Sequence, residues 1–365
     1  MATGYQVYVS FSGETGEKIQ NVGALASDGS FLGNVLAGGG PFDELRGLAL
    51  DARGRLYVAN ANKTASAVDV FSATINADGF TRDYLGALIT AATSRALLHP
   101  YGLAFDGDDL FVSSQDTNVV AGYAISGKTM PTATKLPVAA YLAKLNAKGD
   151  YYGATFVASA DPVEVRKQTP PAIDPDKGGL SAEGFVAKTA ATDDDPPEAA
   201  DEAKPAAQQA RHSVRGIAFA GKRLYVADQA KNRVGIYGHK SGTFHGWIDA
   251  TADSPANPNA LDKPVGIAVG PADGRVYIGS PKNEAIFAYD PTSEKLELVV
   301  SSATSGVPAG ALNDLSGLAF AADGTLLFGS RAQQQLYSLG AASGAVAPFG
   351  DKLPDAPECV LVVPI

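Results

Sequence analysis

The chain has 365 residues, a net charge of −10 at pH 7, 45% hydrophobic and 19% charged residues, and one cysteine. An acidic surface repels phosphate backbones and anionic lipid, so no nucleic-acid or membrane partner is expected, and no apolar run approaches the roughly 18–20 residues of a membrane span. A lone cysteine, Cys359, excludes an intrachain disulfide and is expected as a small core residue.

In chain order, the sequence enters a strand almost at once, without a signal-peptide core, which predicts a cytoplasmic protein or a processed secreted form, and a monomer. YQVYVSFSGETGEKIQNVGA reads as two strands and SDGSFLGNVLA as a third. GLALDARGRLYVAN then begins at Gly47 with an apolar run, a turn and an alternating strand, and SAVDVFS adds a third strand. The same plan returns in GLAFDGDDLFVSS from Gly102, followed by NVVAGYAI.

Residues 126–212 break the pattern. PTATKLPVAAYLAKLNAKG suggests a short helix at its middle, DYYGATFVASADPVEVRK has strand character, and GFVAKT suits a fourth strand for the preceding unit. AATDDDPPEAADEAKPAAQQA is acidic and rich in Ala and Pro, so 190–211 is expected as a mobile loop on the face where inter-unit links cross.

The plan resumes in GIAFAGKRLYVADQAKNRVGIYG from Gly216, with TFHGWIDA as a fourth strand, then in GIAVGPADGRVYIGS from Gly266 and GLAFAADGTLLFGS from Gly317. The chain ends on PECVLVVPI, which matches the first strand of a unit and then stops.

Four short strands cannot bury both their faces alone, and a period of roughly 40–50 residues with four strands per unit is the signature of propeller blades. The chain is therefore expected to be an all-β, single-domain, six-bladed β-propeller over residues 1–365. One blade would be shared between the termini, with one strand from the C-terminus and three from the N-terminus, which removes open sheet edges. The competing count is seven blades, with YYGATFVAS opening the extra one.

Inner strands line the channel of such a ring, and their first residues circle its mouth. The residue before each repeated glycine, or its equivalent, is Arg46, Tyr101, Arg215, Val265, Ser316 and Glu358; two residues earlier stand Glu44, His99, Ser213, Lys263, Asp314 and Ala356. Desolvated arginine needs an anionic or carbonyl partner. Arg46 and Arg215, with His99 and Lys263, are thus candidate ligand-binding residues, and Glu358 and Tyr101 candidate acid/base groups. The competing reading is structural: Glu358 neutralises Arg46 across the blade edge and Tyr101 plugs the channel.

HPYGLAFDGDDLFVSSQDTN and VRGIAFAGKRLYVADQAKNRVGIYG resemble the NHL-type propeller repeat, and the likeness covers most of the chain outside 126–212. That resemblance implies the propeller architecture. Enzymes with similar repeats include virginiamycin B lyase and peptidylamidoglycolate lyase, which bind metal at the channel through histidines; this chain has Arg46, Tyr101, Arg215 and Val265 there. Calcium-dependent lactonase propellers use a Glu, Asn, Asn, Asp set, of which only Glu358 is matched. The histidines are His99, His212, His239 and His245, the last two expected to be exposed, and they form no metal set. No metal ligands and no cofactor are therefore expected.

Three functions follow from the sequence. One is binding of a small anionic or carbonyl-containing ligand at the mouth, with or without metal-independent lyase, cyclase or hydrolase chemistry. Another is a scaffold for a protein or peptide on the channel face. The third is a metal-dependent lyase with ligands elsewhere.

Overall fold

The computed structural model describes the chain except residues 1–3, 12, 14–16, 63, 95, 117, 128–130, 136–143, 146–150, 153–154, 159–212, 240–241, 243 and 250–260. Six mainly antiparallel sheets of at least four strands each stand around a central channel. The blade containing both termini runs Pro357–Pro364, Tyr5–Phe11, Val22–Leu25, Phe31–Asn34 from the channel outward, and is called blade 1. The inner strands of blades 2 to 6 are Leu45–Leu50, Pro100–Asp106, Val214–Ala220, Ile267–Val269 and Leu315–Phe320.

Closure follows the expected one-plus-three scheme. Tyr5 to Phe11 pair with Pro364 to Pro357 in antiparallel register, with a bulge at Ser10/Phe11. The outer strand of blade 3 departs from expectation. It is Thr132–Lys135, antiparallel to Val119–Ser126, and Thr155–Ala158 extends the same edge in parallel register. GFVAKT, most of the expected short helix and the acidic loop 190–211 lie outside the described residues; Lys144 and Leu145, at the end of that helix stretch, are instead paired with Tyr152 and Tyr151 as strand. Of the YYGATFVAS segment, Thr155–Ala158 therefore adds to blade 3, and the described residues form six blades.

The repeated glycine has a packing cause. A Cβ on Gly47 would stand 2.4 Å from the Tyr101 carbonyl oxygen, one on Gly216 2.4 Å from that of Val265, and one on Gly317 2.4 Å from the Val360 amide. The inner strands of blades 2 to 6 approach their neighbours too closely for a side chain at this position, whereas blade 1 carries Cys359 there. Branched and aromatic residues of neighbouring sheets fill the space between blades, as where Tyr57 and Val68 of blade 2 pack with Leu103 and Val112 of blade 3.

In blades 2, 4, 5 and 6 the polar residue that ends the second strand ties down the loop leading into its own blade. Asn60 accepts from the Asp43 amide at 3.2 Å and donates to the Pro41 carbonyl at 2.9 Å. Asp228 accepts from the Ser213 amide at 3.1 Å, and Ser280 accepts from the Asp262 amide at 2.7 Å. These loops form the mouth, so the sequence motif fixes the mouth's shape.

Candidate functional site at the channel mouth

Each inner strand is entered through a turn. Glu44, His99, Lys263 and Asp314 occupy equivalent positions in four blades and share left-handed backbone, with φ of 48°, 53°, 52° and 52°. Such angles are uncommon outside glycine and persist only where the surroundings impose them. Here the carbonyls of Glu44, His99 and Asp314 accept the amides of Ala61, Gln115 and Arg331, the residues that follow each second strand. The turn delivers the residue two positions on, Arg46, Tyr101 or Ser316, to the channel.

There the residues expected from the sequence come together. Arg46 Nη1 lies 2.8 Å from Glu358 Oε1, and Arg46 Nη2 lies 3.4 Å from Glu44 Oε2. The Arg46 and Arg215 guanidinium carbons stand 5.7 and 4.9 Å from the Tyr101 ring centroid, within cation–π range. Arg215 also donates through Nε to Gln229 Oε1 at 2.9 Å. His99 joins through Glu44, its Nε2 3.1 Å from Glu44 Oε2, and is buried. Lys263 is not among the residues facing the mouth pocket; its backbone amide donates to Asn232 Oδ1 at 2.9 Å.

Arg331 belongs to the cluster but is not expected from the glycine register. Its Nε lies 3.0 Å from Glu358 Oε1, the same oxygen that Arg46 takes, and 3.8 Å from Asp314 Oδ2. The signal that could find it is a second register, the residue after each second strand: Ala61, Gln115, Gln229, Pro281 and Arg331.

The electrostatics follow from this packing. Burial pushes the Glu358 carboxyl up, but Arg331, Arg46 and Arg215 together outweigh it and hold the group below the ordinary glutamate value. Burial, reinforced by Glu358, pushes the Tyr101 phenol well above the usual tyrosine range. The attraction of Glu358 holds Arg331 still more firmly protonated. The site therefore presents guanidinium groups, a neutral phenol that can donate a hydrogen bond, and a carboxylate that stays ionised.

Under the mouth lies a pocket of about 30 Å³, bounded by Arg46, Tyr101, Arg215, Gln229, Asp314 and Arg331 among others. That is room for roughly two water-sized groups. Among the described residues no cluster of three or more His, Cys, Asp or Glu gathers that could hold a metal ion.

One sequence expectation outside the mouth needs correction. His239 is half-buried and paired with Asp106 of blade 3, because blades 3 and 4 meet there, whereas His245 is exposed. Cys359 packs against the core cluster of blades 1 and 2; it occupies the position of the repeated glycine in blade 1 and also lines the channel.

No family model and no curated protein matches the sequence. Solved structures do. A periplasmic gluconolactonase of Pseudomonas aeruginosa is 16% identical with a TM-score of 0.57 over 99% of both chains. A candidate 6-phosphogluconolactonase of Bacteroides uniformis is 15% identical with a TM-score of 0.54, over 99% of this chain and 100% of that one. A chain of a nidogen/laminin complex reaches 0.54 at 9% identity, over 99% of this chain and 98% of that one. At these identities the likeness shows the β-propeller fold alone.

Proposed function

We propose that the protein binds a small ligand bearing a carboxylate or a polarised carbonyl at the channel mouth, held by Arg46 and Arg215 on either side of Tyr101, with Arg331 completing the cationic rim. The observation that carries this reading is convergence: arginines from blades 2, 4 and 6 meet around one tyrosine ring and one buried carboxylate. Gathering like charges at one point is unfavourable by itself, and well-packed apolar residues would close a channel at least as stably. A guanidinium fork matches the planar oxygen pair of a carboxylate, and the pocket under the mouth is the size of such a group.

Where the bound ligand reacts, the fitting chemistry is a metal-independent lyase, cyclase or hydrolase step. The guanidinium groups and the Tyr101 phenol would stabilise negative charge growing on a ligand oxygen. Glu358 serves as fixed countercharge and not as a proton donor, because it stays ionised.

The test is a thermal-shift and calorimetric screen of small carboxylates (acetate, succinate, gluconate, benzoate) at low salt. At least one should bind, and Arg215→Ala should weaken it by about tenfold or more while the fold survives. If none binds, or if Arg215→Ala leaves affinity unchanged, the reading fails.

A further inference from the structure

Arg46, Tyr101, Val265 and Ser316 border two spaces. One is the small pocket under the mouth. The other is a chamber of about 200 Å³ further along the channel. Its lining includes one branched aliphatic residue from each of the six blades, Leu48, Leu103, Ile217, Ile267, Leu318 and Val360. All six follow the repeated glycine or its equivalent, Cys359, so the apolar ring is built by the repeat itself.

Glu358 borders this chamber and not the pocket under the mouth. Its Oε1 takes both Arg46 and Arg331. Its Oε2 is buried and meets no hydrogen-bond donor among the described residues. A buried, ionised acceptor without a donor is costly, and such groups in native proteins need a specific explanation.

We propose that the chamber is a second binding site, for a small neutral molecule with an apolar body and one hydroxyl group, whose O–H donates to Glu358 Oε2. The volume sets the body: a dry cavity of roughly 150 Å³ lined by Leu, Ile and Phe accommodates benzene, so a single ring or a chain of about six carbons fits here. The charge sets the head. Two arginines already neutralise Glu358, so an ammonium group would meet the repulsion of Arg46, and a carboxylate would meet that of Glu358. A hydroxyl reproduces the hydrogen bond that a water would make to Oε2, so its binding gives that oxygen a donor. The site stands independently of the function proposed for the mouth.

Cys359 supplies the readout, because it is the only cysteine and lines the chamber. Its thiol is pushed up to about 11, mainly by burial, so alkylation is followed at pH 9 with iodoacetamide. The probes are benzyl alcohol, toluene and benzoate. Benzyl alcohol should slow alkylation of Cys359 and bind about tenfold or more tighter than toluene by calorimetry, as expected for one hydrogen bond to a charged group. Benzoate should not protect Cys359. Ala319→Phe, which fills the chamber from blade 6, should abolish protection by benzyl alcohol, with the fold checked by circular dichroism. Arg215→Ala should leave that protection unchanged. Unaltered alkylation in saturating benzyl alcohol, or equal binding of toluene, overturns the proposal. Benzoate binding lost in Arg215→Ala, with no protection by benzyl alcohol, would sustain the mouth and reject the chamber; the converse pattern would do the opposite.

Discussion

Glu358 carries more of the structure than any other side chain at the mouth. It comes from the closing strand of blade 1, and its two arginines come from blades 2 and 6, so one carboxylate spans both seams of the terminal blade. Removing one partner of a buried ion pair leaves uncompensated charge, and Glu358→Ala should destabilise the protein by about 3–5 kcal/mol in chemical denaturation. The pH dependence has a definite sign. The folded carboxyl titrates below its ordinary value of 4.5, so its contribution is complete above that pH and is lost as pH falls through the lower, folded value. The melting temperature of the wild type should therefore fall more steeply between pH 5 and pH 3 than that of Glu358→Gln. Parallel curves would show that the carboxylate contributes no such linkage. At this scale the sequence exposes Arg46, Tyr101, Arg215 and Glu358, because the glycine register names one position per blade. Arg331 escapes that register, since it enters the channel from the end of a second strand.

The strands explain why the glycine register is readable. In blades 2 to 6 this position falls where inner strands nearly touch, and it is glycine each time, at Gly47, Gly102, Gly216, Gly266 and Gly317. Gly47→Ala should cost on the order of 1–3 kcal/mol or more, because its Cβ would meet backbone that cannot move without shifting blade 3. A melting temperature unchanged by this substitution would contradict the packing. Hydroxyls on second strands supply a further link between blades. The Gly102 amide donates to Ser113 Oγ at 2.7 Å, which donates to the Arg215 carbonyl at 2.6 Å. Cys359, Ser10 and Arg46 repeat the relay between blades 1 and 2. Ser113→Ala leaves the buried Arg215 carbonyl without this donor and should cost about 1–3 kcal/mol, measured by urea unfolding. Outer strands were much less legible. Thr132–Lys135 carries no apolar alternation, whereas GFVAKT has the composition expected of a strand.

Across the whole molecule, the ring closes through a single pairing of the two chain ends, from Tyr5–Pro364 to Phe11–Pro357. This was legible because PECVLVVPI lacks the rest of a blade and the opening lacks a first strand. Ending the chain after Ala356 would remove the inner strand of blade 1, Glu358 and both seams at once. Such a chain should lose its cooperative thermal transition, whereas a retained transition near the wild-type temperature would show that closure contributes little. The position of the mouth was legible from the same repeat, but its charge balance was not. The pairing of Arg46 and Arg331 on one oxygen depends on Arg46 and Glu358, more than 300 residues apart in sequence and brought together only by the closed ring. The most direct measurement of the central claim is calorimetric titration of small carboxylates into the wild type and Arg215→Ala at low salt. The account predicts saturable binding that weakens by about tenfold or more in the variant and falls as salt is raised. Equal affinity in both proteins, or no binding in either, would contradict a carboxylate site at the mouth.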